Sequence, residues 1–298
     1  MSELAGARVV VTGGTGFLGR HVCDALRERG AFPVPLGRAD GDLRARADFD
    51  GADHVVHCAA LGGGIGWMRK HPATALHDNV LINTNVLEGA RRSGVRRLVG
   101  VSSACAYAVD APQPMREDAI FAGQPEPTNG PYGHAKRLML VHGAALAAEH
   151  GFDCAFAVPT NLYGPGDDFD PARSHLVAAL VRKFVAGDGN CWGTGRATRD
   201  LLHVRDCAEG VVRLLEVGGG PSPVNLGSGE ERTVAAVAEA VARAAGYEGT
   251  VRWDTTKPDG MPRKVLDITR AHERLGWAPR VSLEDGLAET VAWFRSSS

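Results

Sequence analysis

Tyr132 and Lys136 stand four positions apart, downstream of an apolar run, Val95 to Val101, that ends in Ser102 and Ser103. On a helix that spacing puts a phenol and an ammonium on one face. The chemistry such a pair offers is proton transfer. A nearby ammonium stabilises phenolate, so Lys136 is expected to lower the Tyr132 pKa toward the range where the phenol donates and accepts protons at neutral pH. Near the amino terminus, Gly14, Gly16 and Gly19 follow the pattern G-x-G-x-x-G directly after the β-branched run Arg8 to Thr12. Residues without Cβ there let the chain turn tightly, bring backbone N–H groups up to a pyrophosphate and pack a helix against a strand.

The glycine pattern carries weight only between a strand and a helix, and residues 20–29, with Val22 and Leu26 on one side, supply the helix. The second strand, Pro33 to Leu36, ends in Gly37 and Arg38, where a dinucleotide site for NAD would present an acidic side chain to the ribose. A guanidinium suits a 2′-phosphate instead, so NADP(H) is the expected cofactor; in the competing reading Arg38 is solvated and Asp40 reaches a ribose hydroxyl. Asp42 and Leu43 are placed at the adenine. The cofactor set is Gly13, Gly14, Gly16, Phe17, Leu18, Gly19, Arg38, Asp42, Leu43, Ala59, Tyr132, Lys136 and Pro159.

Further strands are read at His54 to His57, Val95 to Val101 and Ala155 to Val158, with helices over 78–93 and 133–150. Strands alternating with helices predict an α/β fold: a Rossmann-type, doubly wound parallel sheet with helices on both faces. Only residues 37–53 join the second strand to the third, too few for a full crossover helix, so the adenine-side wall is expected to be trimmed. After Pro159 the chain is richer in turns, with shorter helices over 174–186, 206–217, 233–245 and 283–294. The expected division is a cofactor-binding domain over 1–161 and a smaller α/β substrate domain over 162–298, some of whose segments return to the first sheet. A cleft between them is the expected ligand site.

Composition sets bounds on this reading. The 298 residues carry 33 Lys and Arg against 35 Asp and Glu, a net charge of −2, which argues against nucleic acid as a partner. No apolar run approaches the roughly 20 residues of a membrane span, and no signal peptide is read at the amino terminus. Six separated cysteines with no C-x-x-C pair fit reduced thiols in the cytoplasm, without a disulfide framework or a metal site.

Taken with Gly62 to Gly66, Glu126 to Tyr132, Pro159 to Pro165, Ser174 and His175, Arg199 to Val204, and Lys257 to Lys264, the chain resembles the extended short-chain dehydrogenase/reductases that act on nucleotide sugars. Within them it is similar to the GDP-L-fucose synthase family, and the likeness spans nearly the whole chain. That resemblance implies that Ser103 hydrogen-bonds the sugar C4 carbonyl, Tyr132 protonates its oxygen, and Lys136 holds the nicotinamide ribose and tunes Tyr132. It also implies that Cys105 and His175 form an acid–base pair acting at C3 and C5, whose hydrogens the C4 ketone acidifies. Asn161, Trp192, Arg199 and Lys264 fall at substrate positions, the last two as partners for the diphosphate. The related dehydratases carry an acidic pair where this chain has Ala104 and Cys105, so elimination of water is not expected.

The expected activity is therefore NADPH-dependent 3,5-epimerisation and 4-reduction of a GDP-4-keto-6-deoxyhexose. The alternative is reduction alone, of a GDP- or dTDP-linked 4-keto-6-deoxyhexose in deoxysugar biosynthesis. A non-catalytic binding module would have lost Ser103, Tyr132 or Lys136, and all three are present. The resemblance also implies a homodimer formed through the helices over 78–93 and 133–150.

Overall fold

The structure is a computed structural model that describes residues 3–257 and 259–297. Pro258, inside the Lys257 to Lys264 stretch, lies outside the described residues, as do Met1, Ser2 and Ser298. The central sheet has six parallel strands: β1 (Arg8–Thr12), β2 (Phe32–Leu36), β3 (His54–His57), β4 (Arg97–Val101), β5 (Cys154–Pro159) and β6 (Pro223–Leu226). Their spatial order is β6-β5-β4-β3-β1-β2. Strands buried on both faces need side chains that are apolar throughout, and Val9, Val11, Val55, Val56, Leu98, Val99 and Phe156 are all fully buried.

Helix α1 (Phe17–Glu28) turns Val22, Cys23, Ala25 and Leu26 onto the sheet. Helix α2 (Ile65–Lys70) leads into α3 (Pro72–Arg92), and α4 (Gly130–His150) packs alongside α3 on the opposite face. Both long helices begin earlier than their apolar periodicity suggests, because Pro72 and Pro131 occupy first-turn positions where a missing N–H costs no hydrogen bond. Helix α5 (Leu176–Val185) precedes α6 (Val204–Val217), which returns to pack against α1. Helices α7 (Val234–Ala244), α8 (Thr269–Leu275) and α9 (Leu283–Ser297) complete the chain.

The carboxyl-terminal half thus gives β6, α6 and α8 to the first sheet and its core, while a separate core forms around α5, α7 and α9 from residues beyond Tyr163. Short strand pairs seam the two parts. Asn161–Tyr163 runs parallel to Leu201–His203, and Thr198–Arg199 lies between Arg263–Lys264 and Arg232–Thr233.

The connection between β2 and β3 holds no α-helix, only one turn of 3-10 helix at Arg38–Asp40 followed by tight turns, as its length implies. Ala47 and Phe49 fill the space with buried side chains, and Gly89 lets α3 approach the Ala47 carbonyl where a Cβ would collide with it. All six cysteines are free. Among the described residues no helix is long and apolar enough to cross a membrane.

Candidate active site

In a doubly wound sheet the ligand crevice opens at the carboxyl ends of the strands where the chain reverses direction, here between β1 and β3. A cleft of about 950 Å³ occupies that position and continues down to Asn161, His175 and Lys264 in the second half.

Its upper end is the glycine turn. Gly13 has φ +68°, a conformation that favours glycine, and a Cβ there would also lie 2.8 Å from the Ala59 nitrogen. Gly19 sits where any Cβ would strike the Gly13 carbonyl, so α1 packs down onto the turn. Gly14 does not line the cleft; it lets the turn lie against Pro35 of β2. The amides of Phe17, Leu18 and Gly19 open α1 without intrahelical acceptors, and no acidic residue occupies that first turn. Arg20 donates to the Thr15 and Gly16 carbonyls at 3.1 and 3.2 Å, engaging the groups that would oppose an anion. This cradle fits a dinucleotide pyrophosphate.

Arg38 is exposed, lines the cleft and has no hydrogen-bond or ion-pair partner among the described residues. Asp40 is committed elsewhere: its carboxylate accepts the Gly37 N–H at 2.7 Å. Asp42 and Leu43 also line the cleft, but Arg44 grips Asp42, holding its pKa near 2, and reaches Asp78 of α3 at 2.8 Å. Leu18, Ala59 and Pro159 complete the lining expected from the sequence.

The reacting groups converge from β4, α4 and the second half. Ser103 closes the end of β4, its hydroxyl accepting the Cys105 N–H at 3.1 Å, and Tyr132 faces the same cleft from the first turn of α4. Lys136 lies one turn later, almost fully buried, with Nζ 5.7 Å from the Tyr132 ring centroid and donating to the Val101 carbonyl at 2.8 Å. Burial lowers the Lys136 pKa to about 8.

One expectation is corrected here. Burial, reinforced by Cys105, pushes the Tyr132 phenol above its ordinary range, so the lowering anticipated from Lys136 is not what governs it. Tyr132 is held as a neutral proton donor. Beneath Lys136 lies a buried chain of hydrogen bonds: Thr12 Oγ1 to His57 Nδ1 at 2.7 Å, His57 Nε2 to Asn83 Oδ1 at 3.0 Å, and Asn83 Nδ2 to the Ala135 carbonyl at 3.2 Å. Burial and the Lys136 charge drive the His57 pKa down to about 3, so the ring is neutral and structural.

Cys105 and His175 line the same cleft, from opposite halves of the chain. His175 forms the N-cap position of α5; its ring is accessible from the cleft, and the surrounding protein, then the Lys264 ammonium, lowers its pKa. Lys264 Nζ donates to Cys105 Sγ at 3.4 Å. Asn161 also lines the cleft, its side-chain nitrogen donating to the Asp200 carbonyl at 2.9 Å.

Trp192 and Arg199 are not among the lining residues. Trp192 is 62% exposed, with Lys183 and Lys257 ammoniums 5.8 and 5.9 Å from its ring. Arg199 donates to the carbonyls of Thr198, Asp259 and Met261, bracing the segment that leads to Lys264. Residues the sequence reading did not single out include Thr15, Cys58 and Asn129, the last held at the N-cap of α4 by Glu126. Glu126 three positions before Asn129 is a local signal that could have marked it. No group of three or more potential metal ligands forms among the described residues.

A glycine cradle feeding a Ser, Tyr and Lys set at the end of β4 defines a dinucleotide-dependent oxidoreductase. The profile of the NAD dependent epimerase/dehydratase family matches residues 9–227, and the chain belongs to that family. It is 39% identical over 301 residues to GDP-L-fucose synthase 1 of Arabidopsis thaliana, covering 97% of this chain and 93% of the relative. GDP-L-fucose synthase of Escherichia coli (strain K12) is 37% identical over 309 residues, covering 96% of each. Among solved structures, a GDP-L-fucose synthetase from Naegleria fowleri bound to NADP matches with a TM-score of 0.87 and 25% identity, covering 100% of this chain and 96% of that one. A GDP-6-OMe-4-keto-L-xylo-heptose reductase from C. jejuni shares the fold at a TM-score of 0.91, with 22% identity and full coverage of both chains.

The burial of Lys136 sets a test with a defined sign. The unfolded chain keeps the lysine proton up to about pH 10.5 whereas the folded chain releases it near pH 8, so stability rises with pH across that window. Lys136→Met should therefore raise thermal stability at pH 7, by a few kcal/mol at most, and the gain should shrink as pH climbs from 8 to 10.5. Melting curves over that range are the check; a destabilised variant at pH 7 would contradict the argument.

Proposed function

We propose that this enzyme is an NADPH-dependent 3,5-epimerase and 4-ketoreductase of a GDP-4-keto-6-deoxyhexose, acting as a GDP-L-fucose synthase. The observation that carries this reading is the meeting of Ser103, Tyr132 and Lys136 with a second pair, Cys105 and His175, in one cleft. The names of relatives at 37–39% identity over nearly the whole chain support it.

NADPH supplies the hydride when bound. Ser103 and Tyr132 orient the C4 carbonyl by hydrogen bonds, and Tyr132, kept protonated by its surroundings, gives its proton to the carbonyl oxygen. Before reduction the same hydroxyls stabilise negative charge on that oxygen while a proton is removed from C3 or C5. Cys105 and His175, approaching from different elements, divide removal of that proton and return of another to the opposite face. Asn161 lies along the sugar end of the cleft, and exposed Trp192 with Lys183 and Lys257 suits a nucleotide base and its phosphates.

Arg38 selects the cofactor in this reading, because it is free to pair with a 2′-phosphate while Asp40 is held by the Gly37 N–H. The division at residue 161 into a cofactor-binding and a substrate-binding part is retained as part of this proposal. Six free thiols fit work in the cytoplasm. A homodimer is proposed through α3 and α4, which leave Leu76, Leu138 and Val141 exposed at 40%, 44% and 51%.

Three measurements test these points. GDP-4-keto-6-deoxymannose incubated with the enzyme in D₂O without NADPH should gain deuterium at C3 and C5, detected by NMR. Cys105→Ser and His175→Gln should slow that exchange by roughly 100-fold or more. Absence of deuterium with the unaltered enzyme would leave a reductase alone. Arg38→Ala should weaken NADPH binding at least roughly tenfold with little change for NADH; equal losses in fluorescence titrations would exclude the selector role. Light scattering should give twice the 31.4 kDa chain mass, and Val141→Glu should return a single-chain mass; a monomeric unaltered protein would refute the dimer.

A further inference from the structure

Lys264 lies 159 positions beyond Cys105, yet its ammonium nitrogen is 3.4 Å from the thiol sulfur and donates to it. Its backbone is tightly held. The segment Arg263–Lys264 runs parallel to Thr198–Arg199, the Lys264 carbonyl accepts the Asp200 N–H at 3.0 Å, and the flanking Val265 carbonyl accepts the Met115 N–H at 2.8 Å. No carboxylate pairs with Lys264 among the described residues. The cation is therefore delivered to the sulfur by the fold, with no competing anion.

We infer that Lys264 is a positioning residue for epimerisation: its ammonium stabilises the thiolate of Cys105 and so makes Cys105 the member of the pair that takes the proton from the sugar carbon. This rests on the epimerase reading above and assigns Lys264 to the sulfur instead of the substrate diphosphate. The thiolate sulfur accepts the proton from C3 or C5, and the electron pair of the C–H bond passes to the C4 carbonyl oxygen as an enolate. The enolate carbon then takes a proton from imidazolium His175, leaving thiol and neutral imidazole. Proton transfer to and from solvent restores the pair.

The groups facing this site set its pH response. Tyr132 of α4 is neutral beside the sulfur, Lys264 is cationic, and His175 across the cleft feels the Lys264 charge and, more weakly, Asp168. A cation at Lys264 favours thiolate and disfavours imidazolium, so exchange requires one group deprotonated and the other protonated. Its pH profile is bell-shaped, and both members of the pair feel the Lys264 charge.

The test is alkylation of Cys105 by iodoacetamide at pH 7 in the full-length protein, followed by peptide mass spectrometry. Cys23, Cys154, Cys191 and Cys207 are buried, and Cys58, which also lines the cleft, lies on a different tryptic peptide, so Cys105 is read separately. Lys264→Gln should slow alkylation at least roughly tenfold, the scale expected when a cation within contact distance of a titrating group is removed. Lys264→Arg should restore most of the rate. The rate of deuterium exchange at pH 7 should fall in Lys264→Gln and return in Lys264→Arg. Thermal melts with NADPH report folding, and should Lys264→Gln fail to fold, Lys264→Met replaces it in the same assays. Exchange by the unaltered enzyme with unchanged alkylation in the uncharged variant overturns this role alone, as does a raised substrate KM with exchange and alkylation intact. No exchange by the unaltered enzyme overturns the epimerase reading and the proton-accepting role with it.

Discussion

The arrangement turns on one buried cation. Lys136 is among the largest fully buried side chains of the protein, and among the described residues its ammonium donates a hydrogen bond only to the Val101 carbonyl. Burying such a group costs free energy unless it is hydrogen-bonded, and the fall of its pKa to about 8 records that cost. The neighbourhood is arranged so as not to add to it. His57, which could carry a second positive charge, is kept neutral by burial and by the Lys136 charge, its Nε2–H donating to Asn83 Oδ1 and its Nδ1 accepting from Thr12 Oγ1. That chain of contacts links β1, β3, α3 and α4, so the helix that presents Tyr132 is registered against the strands that shape the cofactor cradle. Stability has been surrendered locally to place an ammonium beside the phenol.

A second constraint acts from the other half. Asp200 is fully buried, and its carboxylate accepts from Ser228 N, Ser228 Oγ and Leu266 N, while its carbonyl accepts from Thr160 Oγ1 and Asn161 Nδ2. Burial raises its pKa and those hydrogen bonds oppose the rise. One residue thereby ties the end of β5, the loop after β6 and the segment carrying Lys264. The placement of Asn161 and Lys264 in the cleft depends on this knot more than on any helix, and short strands of two or three residues suffice because the knot fixes their register.

What was legible in the sequence follows from range. The glycine turn, the five-strand alternation as far as β5 and the Tyr132 to Lys136 spacing are local patterns, and local sterics enforce them. The trimmed connection after β2 was legible as well, since chain length alone forbids a crossover helix there. Strand β6 was not, because Pro223 and Asn225 interrupt its short apolar run, and its place beside β5 is decided by tertiary pairing. The electrostatics were least legible. Lys136 close to Tyr132 suggested a lowered phenol pKa, whereas burial of the ring outweighs the ammonium, whose hydrogen bond goes to Val101. The fate of Asp40 and the partner of Lys264 depend on contacts that residue spacing does not encode.

Charge placement explains how a chain with net charge −2 can receive a highly anionic cofactor and substrate. Many of its arginines are paired with carboxylates at the surface, as Arg27 is with Asp24 and Arg263 with Glu231, and such pairs offer little to a ligand. Attraction comes from groups that lack an anionic partner at the cleft: Arg38 at the cofactor end and the open amides at the start of α1. Lys264 is different, because its neighbour is the Cys105 sulfur and its backbone holds it there. In the inferred role its ammonium acts on that sulfur in place of a diphosphate, so the short strand that seams the two halves brings a cation from the second half to a group at the end of β4.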